Sequence, residues 1–274
     1  MEADNSNNVY KINGINIFCE IIGNGEPLLM IPGLSAGTWL WSKSINSLSR
    51  KYKLIMPELR GYGRSDKPDQ PYSIKMFAYD LKKLLEYFSF NRVHLMGSSM
   101  GGLIAQYFAS HWADNVSSLI LICTTFGGQD QIGPTGDAFL SLVKPKGKTR
   151  KERLEYSYSF LFSKFYRENH RKEFNFITNQ RLRYPQPEYA YFRQFFAGNS
   201  YSGKKYAKRI NAPTLICAGL DDQLVKVENA YELKENIPNS RLELFEGRHL
   251  FFYEHYKKFN GIVMDFLNDT SRKN

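Results

Sequence analysis

The feature that most constrains this chain is a turn, Gly97-Ser98-Ser99-Met100-Gly101-Gly102, set between two segments of different period. Before it, Val93-His-Leu-Met96 reads as a short buried strand. After it, Leu103-Ile-Ala-Gln-Tyr-Phe-Ala109 reads as a helix rich in small residues. A strand that feeds a helix within so few residues brings two backbones almost into contact, so the residues two before and two after the central serine must be small. Around Ser99 those positions are Gly97 and Gly101; around Ser98 they would be Met96 and Met100. Spacing therefore selects Ser99 as the hydroxyl displayed at the tip of G-x-S-x-G.

The rest of the chain alternates in the same way. Val9–Ile12 and Asn16–Ile22 flank Asn13-Gly14, a two-residue hairpin signal. Short apolar runs follow at Leu28–Ile31, Leu54–Met56, Val93–Met96, Leu119–Cys123 and Leu215–Cys217, and Arg241–Phe245 closes the series at eight strands. Ile74, Phe77, Ala78, Leu81, Leu84, Leu85 and Phe88 recur at helical spacing behind a capping Ser73, and Phe259, Ile262, Val263, Phe266 and Leu267 repeat the period near the carboxyl end. A starting hairpin followed by strand–helix alternation predicts an α/β fold with a mostly parallel eight-stranded sheet flanked by helices. Ligands of such sheets bind outside the carboxyl ends of the strands.

One segment breaks the pattern. Lys144 to Arg209 holds 17 Lys/Arg against 5 Glu and no Asp, a balance of +12. The chain as a whole carries +10, so the remainder stands at −2. The same segment is rich in Tyr and Phe and lacks βαβ signals; it reads as a helical insertion. Its aromatic residues are expected to be mostly the core of that insertion, some of them lining an apolar pocket. Its charge suits a solvated helix surface, steering of a small anionic ester, or docking of an acidic carrier protein. No nucleic-acid recognition motif accompanies it, so nucleic acid is not an expected partner.

Composition narrows the class further. With 42% hydrophobic and 15% aromatic residues the chain is not disordered. No apolar run approaches the ~20 residues of a membrane span. Met1-Glu2-Ala3-Asp4-Asn5 has neither the basic start nor the apolar stretch of a signal peptide. Cys19, Cys123 and Cys217 are widely spaced in apolar runs, which predicts reduced core thiols and a cytoplasmic location. No zinc spacing occurs, and neither a metal nor a cofactor is implied.

Three segments together resemble the α/β-hydrolase superfamily, in its small serine-esterase branch, over nearly the full length. They are the Ser99 turn, Ile31-Pro32-Gly33-Leu34 followed by Trp39, and Arg60-Gly-Tyr-Gly-Arg-Ser-Asp-Lys-Pro68. The second is similar to the family's oxyanion loop and the third to its RGxGxSxxP segment. The resemblance implies that the basic insertion is a cap over the active site, with residues 1–130 and 210–274 as the hydrolase core and 131–209 as the cap. It also implies the order Ser…Asp/Glu…His for a catalytic triad.

A serine hydroxyl needs an adjacent base, and the base needs an orienting carboxylate. Only His249 and His255 follow both Ser99 and the next strand. His249 lies in a loop just past Arg241–Phe245, where an imidazole can reach over a nucleophile, whereas His255 enters the last helix; His249 is the expected base. His94, His111 and His170 are expected to be structural or solvated. For the acid, the family pattern G-x-x-D matches Gly219-Leu-Asp-Asp222 and favours Asp222, with Asp221 as a turn-stabilising neighbour. Some relatives place the acid one strand earlier, where Asp130 sits. The oxyanion hole is expected from the backbone N–H groups of Leu34 and Met100. Pro32-Gly33 replaces the family's usual His-Gly, which keeps the backbone donor but removes a side chain that often braces the loop. Arg60–Pro68 is expected to be a glycine-containing connection from strand to helix, direct substrate contact by Arg60 or Arg64 being the alternative.

The resulting expectation is a serine hydrolase that cleaves a carboxylic ester or lactone of a small, possibly anionic, molecule through an acyl-enzyme. A serine at the turn argues against haloalkane dehalogenases and epoxide hydrolases, which carry Asp there. The rival readings are a methyl-ester or thioester hydrolase acting on an acyl carrier protein, a C–C bond hydrolase of a vinylogous diketone, a cofactor-free peroxidase-type enzyme, and a ligand receptor with negligible turnover.

Overall fold

Asn13 and Gly14 take positive φ values of 50° and 81°, the backbone that a two-residue hairpin needs if its strands are to keep their right-handed twist. They join β1 (Val9–Ile12) to β2 (Ile15–Ile22) in register from Val9↔Phe18 to Ile12↔Ile15. The computed structural model describes residues 8–271; the stretch Met1 to Asn5 read above lies outside them.

The remaining strands are β3 (Glu26–Ile31), β4 (Tyr52–Pro57), β5 (Val93–Ser98), β6 (Val116–Ile122), β7 (Thr214–Gly219) and β8 (Ser240–Phe245). They form an eight-stranded sheet in the order β1-β2-β4-β3-β5-β6-β7-β8. Pairing is antiparallel only at β1–β2 and β2–β4 and parallel elsewhere. Strands β5 and β7 are buried at every position. That two-sided burial is why the central strands read as continuous apolar runs rather than alternating ones.

The helices are α1 (Ser42–Leu48), α2 (Ile74–Tyr87), α3 (Met100–His111), α4 (Gly136–Val143), α5 (Arg150–Leu161), α6 (Lys164–Asn169), α7 (Arg171–Arg183), α8 (Glu188–Asn199), α9 (Glu228–Asn236), α10 (Phe251–Glu254) and α11 (Tyr256–Ser271). Successive strand residues feed opposite faces of the sheet. Leu29, Ile31, Leu119 and Leu121 pack with residues of α2, α3 and α9, while Leu28, Met30, Ile120 and Ile122 pack with those of α10 and α11. Helix α2 buries Ile74, Phe77, Ala78, Leu81, Leu84 and Leu85, as its period requires, and the Ser73 hydroxyl accepts from Met76 N at 3.1 Å.

Between β6 and β7 the chain makes only helices, α4 to α8, with short 3-10 turns at either end. Phe162 stacks on Tyr166 and meets Phe174 and Tyr253 edge-on. The helical segment is thereby joined to α10 through an aromatic core of its own. No helix among the described residues is long and apolar enough to cross a membrane.

Candidate active site

Ser99 sits at φ 55°, ψ −121° between β5 and α3, a conformation that costs a residue with a side chain of order 1–3 kcal/mol. The surroundings impose it. Ser99 N donates to Ile122 O at 2.9 Å, and its carbonyl accepts from Gly102 N at 2.8 Å and from Thr124 Oγ1 at 2.7 Å. The flanking glycines are obligatory: a Cβ on Gly97 would lie 2.4 Å from Gly101 O, and one on Gly101 would lie 2.2 Å from Ile31 O. Ser98, by contrast, is buried with its hydroxyl 3.4 Å from Cys123 Sγ.

Asp222 and His249 converge from the ends of β7 and β8. Asp222 Oδ2 lies 2.7 Å from His249 Nδ1, and both residues are buried. The other carboxylate oxygen accepts from Leu224 N at 2.9 Å and Val225 N at 3.0 Å, which locks the carboxylate plane. Burial by itself would depress the imidazole, but the Asp222 carboxylate, joined by Cys123, outweighs it and holds His249 well above its ordinary value. The turn-stabilising side chain expected of Asp221 is therefore that of Asp222. Asp221 is exposed and contributes its backbone N–H to Gly247 O at 3.0 Å. Asp130 accepts a hydrogen bond from Ser202, and His255 is exposed between α10 and α11. His94 is buried on Ser118 at 2.8 Å, whereas His111 and His170 stack on Tyr107 and Tyr166. Ser99 and His249 line one cavity without a hydrogen bond between them; such contacts often tighten only around substrate.

The loop after β3 packs directly on the serine turn. A Cβ on Gly33 would lie 3.1 Å from both Ser98 O and Ser99 Cβ, a tight contact that glycine avoids. Leu34 N has no protein acceptor among the described residues. Met100 N, in the first turn of α3, is one of the donors a helix start leaves unpaired. Ser35, at φ 56°, donates its N–H to Gln194 Oε1 at 3.3 Å. A side chain from α8 thus braces the loop that Pro32 leaves without its histidine.

The sequence profile of the alpha/beta hydrolase fold family matches residues 26–256. The chain belongs to the α/β-hydrolase fold family. A poly(3-hydroxyalkanoate) depolymerase of Ectopseudomonas oleovorans is 25% identical over 247 residues, covering 90% of this chain and 86% of that protein. The solved esterase of Exiguobacterium antarcticum superposes with a TM-score of 0.85 at 27% identity, over 95% of this chain and 98% of the other. An enol-lactonase of Burkholderia xenovorans superposes with a TM-score of 0.84 at 22% identity, over 95% and 99% of the two chains, a likeness of fold.

In this α/β hydrolase the cavity over Ser99 encloses about 800 Å³ and is walled by Phe139, Tyr191, Phe192 and Phe195 from the helical segment. The aromatic residues therefore divide: these four face the cavity, while Tyr158, Phe162 and Tyr166 are core. Arg60 and Arg64 lie outside it. Arg60 holds buried Asp80 at 2.5 and 2.7 Å, and Arg64 holds Glu58 at 2.7 Å, so the segment braces the hydrolase core. Sequence reasoning missed Gln194 and Gln186, whose amides bond to each other at 3.0 Å and to Arg60 O and Gly61 O at 2.8 Å. A glutamine on a helix carries no local mark of such a role. Cys123 is buried, as expected of a core thiol, but it follows β6 at φ 41° beside Ser98 and His249.

Proposed function

We propose that this α/β hydrolase cleaves carboxylic esters, lactones included, with Ser99 as nucleophile, His249 as general base and Asp222 as the orienting acid. The observation that carries the reading is the buried 2.7 Å bond from Asp222 to His249 at the wall of the cavity that Ser99 lines. Ser99 Oγ attacks the ester carbonyl carbon while His249 takes its proton. The carbonyl oxygen becomes an alkoxide held by the N–H groups of Leu34 and Met100. Collapse expels the alcohol, which receives that proton from His249 and leaves an acyl-serine. Water, deprotonated in turn by His249, attacks the acyl-serine and releases the acid and free Ser99. Asp222 keeps the imidazole in the tautomer that presents Nε2 as base and stabilises the imidazolium.

Residues 131–209 serve as the cap that shapes the acyl pocket. Three free, buried cysteines suit a reducing compartment such as the cytoplasm. The likeness to an esterase at 27% identity supports the reaction class.

Hydrolysis of p-nitrophenyl acetate through octanoate by wild type and Ser99→Ala tests the reading. Turnover lost in Ser99→Ala upholds it, and the chain-length optimum sizes the acyl pocket. Wild type inactive across the series would move the C–C hydrolase, carrier-protein and receptor readings ahead.

A further inference from the structure

Arg150 opens α5 and Arg181 lies in the last turn of α7, and both line the cavity that holds Ser99 and His249. Two arginines of the hydrolase core have carboxylates: Arg60 has Asp80, and Arg64 has Glu58. Arg150 and Arg181 have none within ion-pair distance among the described residues. Arg150 Nη1 donates to Gln186 O at 3.4 Å, but its Nε is buried without an acceptor, and so is Nη1 of Arg181. Arg167 and Arg241 also carry a buried unpaired Nε, yet neither lines the cavity.

The charge around the two is one-sided. Among the described residues, Lys144, Arg150, Arg153 and Arg181 face the cavity against a single acidic residue, Glu188, and no ion pair joins Glu188 to either of the two half-buried arginines. Burial first, and then the like charge of Arg181, holds Arg150 below its ordinary pKa. Two guanidinium groups that repel each other and keep unmet N–H donors are costly unless an anion completes them. A carboxylate meets both needs at once, since its oxygens accept the forked N–H donors and its charge offsets the repulsion. The aromatic wall of Phe139, Tyr191, Phe192 and Phe195 suits the carbon chain that would carry it.

We infer that Arg150 and Arg181 form a carboxylate subsite in the cap wall, and that the preferred ester bears a free carboxylate on its acyl or alcohol part. The inference rests on the ester-hydrolase reading for its reaction but not for its binding.

The test compares monomethyl adipate with methyl hexanoate in wild type, Arg150→Gln, Arg181→Gln and Lys151→Gln. Lys151 is exposed on the same helix and lies 3.8 Å from Glu155, so it reports on general charge. Wild type should favour the anionic ester in kcat/KM by about tenfold or more, as charge-assisted pairing allows. Either arginine substitution should remove that preference by raising KM for the anionic ester, while Lys151→Gln should keep it. Arg150→Lys, which preserves the charge without the fork, should retain part of it.

Titration calorimetry with adipate provides the second arm. Binding to Ser99→Ala should weaken about tenfold when Arg150→Gln or Arg181→Gln is added, a readout that needs no turnover. Ester hydrolysis abolished by Ser99→Ala, with no anionic preference in wild type or a preference that survives both arginine substitutions, would overturn the subsite and leave the hydrolase standing. A preference lost equally in Lys151→Gln would overturn it in favour of a diffuse field. Adipate binding that depends on both arginines, without ester turnover, would uphold the subsite and remove the hydrolase. Adipate that fails to bind, or binds equally to all variants, overturns the subsite.

Discussion

Asp222 and His249, 27 positions apart in the chain, meet across a 2.7 Å bond that both bury, and Asp222 spends its second oxygen on the N–H groups of Leu224 and Val225. The carboxylate is thus immobilised before it orients anything. Two backbone donors fix its position, and a carboxylate at this distance is what lifts the imidazole above its ordinary range.

Asp222→Asn keeps a hydrogen-bonding side chain and removes the charge. We expect kcat to fall by roughly 10³–10⁴. The acid limb of kcat/KM depends on neutral His249 and should lie above the ordinary histidine value of about 6.5 in wild type. It should move down in the variant, where the carboxylate no longer offsets burial. Because the folded pKa is raised, the pair contributes stability fully below the unfolded value and loses it as pH rises through the folded one. The melting-temperature gap between wild type and variant should shrink across that window. A pH–rate profile whose acid limb does not move would remove the carboxylate as the cause.

Gly101→Ala places a Cβ 2.2 Å from Ile31 O, a backbone atom that cannot step aside. The expected cost is about 1–3 kcal/mol, or more, in urea unfolding, together with loss of activity. Gly261→Ala, at an open position within α11, should instead stabilise by about 0.5–1 kcal/mol. Equal effects at the two sites would refute the steric account of the serine turn.

Asp80→Asn leaves the Arg60 guanidinium buried without its carboxylate. We expect a loss of about 3–5 kcal/mol in chemical denaturation. An apolar replacement of both, Arg60→Met with Asp80→Leu, should restore most of it. A double variant no better than the single one would mean that the pair's geometry, rather than the stranded charge, carries the stability.

Gln194→Leu removes the acceptor for Ser35 N and the donor to Arg60 O. The loop after β3 then loses its brace to α8, and if its Leu34 N–H serves the reaction as proposed, we expect kcat to fall about 10- to 100-fold, more than KM changes. Gln194→Glu, which still accepts from Ser35, should fall between wild type and Leu. Steady-state kinetics on a neutral ester read both values, and an unchanged kcat in Gln194→Leu would dismiss the brace.

The fold was largely legible because its signals are local. The Asn13-Gly14 hairpin, the capped period of α2 and the apolar runs of the parallel strands each follow from backbone sterics and side-chain spacing within a few residues. The spacing of Gly97 and Gly101 around Ser99 is of the same kind. Choosing between Asp221 and Asp222 needed a family pattern, since adjacent aspartates in one turn differ only in which way the folded turn aims them. The brace on the loop after β3 was invisible: Ser35 and Gln194 are 159 positions apart.

The sequence by itself determined the order of strands and helices, the serine that the turn displays and the charge imbalance of the inserted segment, because periodicity, steric allowance and net charge are properties of neighbouring residues. Only the tertiary structure decided which aspartate faces His249, that Gln194 holds the loop, that Arg60 is neutralised by Asp80, and that Arg150 and Arg181 face the cavity with no carboxylate paired to them among the described residues. Each of those depends on which distant groups burial brings within about 3 Å, the range over which hydrogen bonds and ion pairs act.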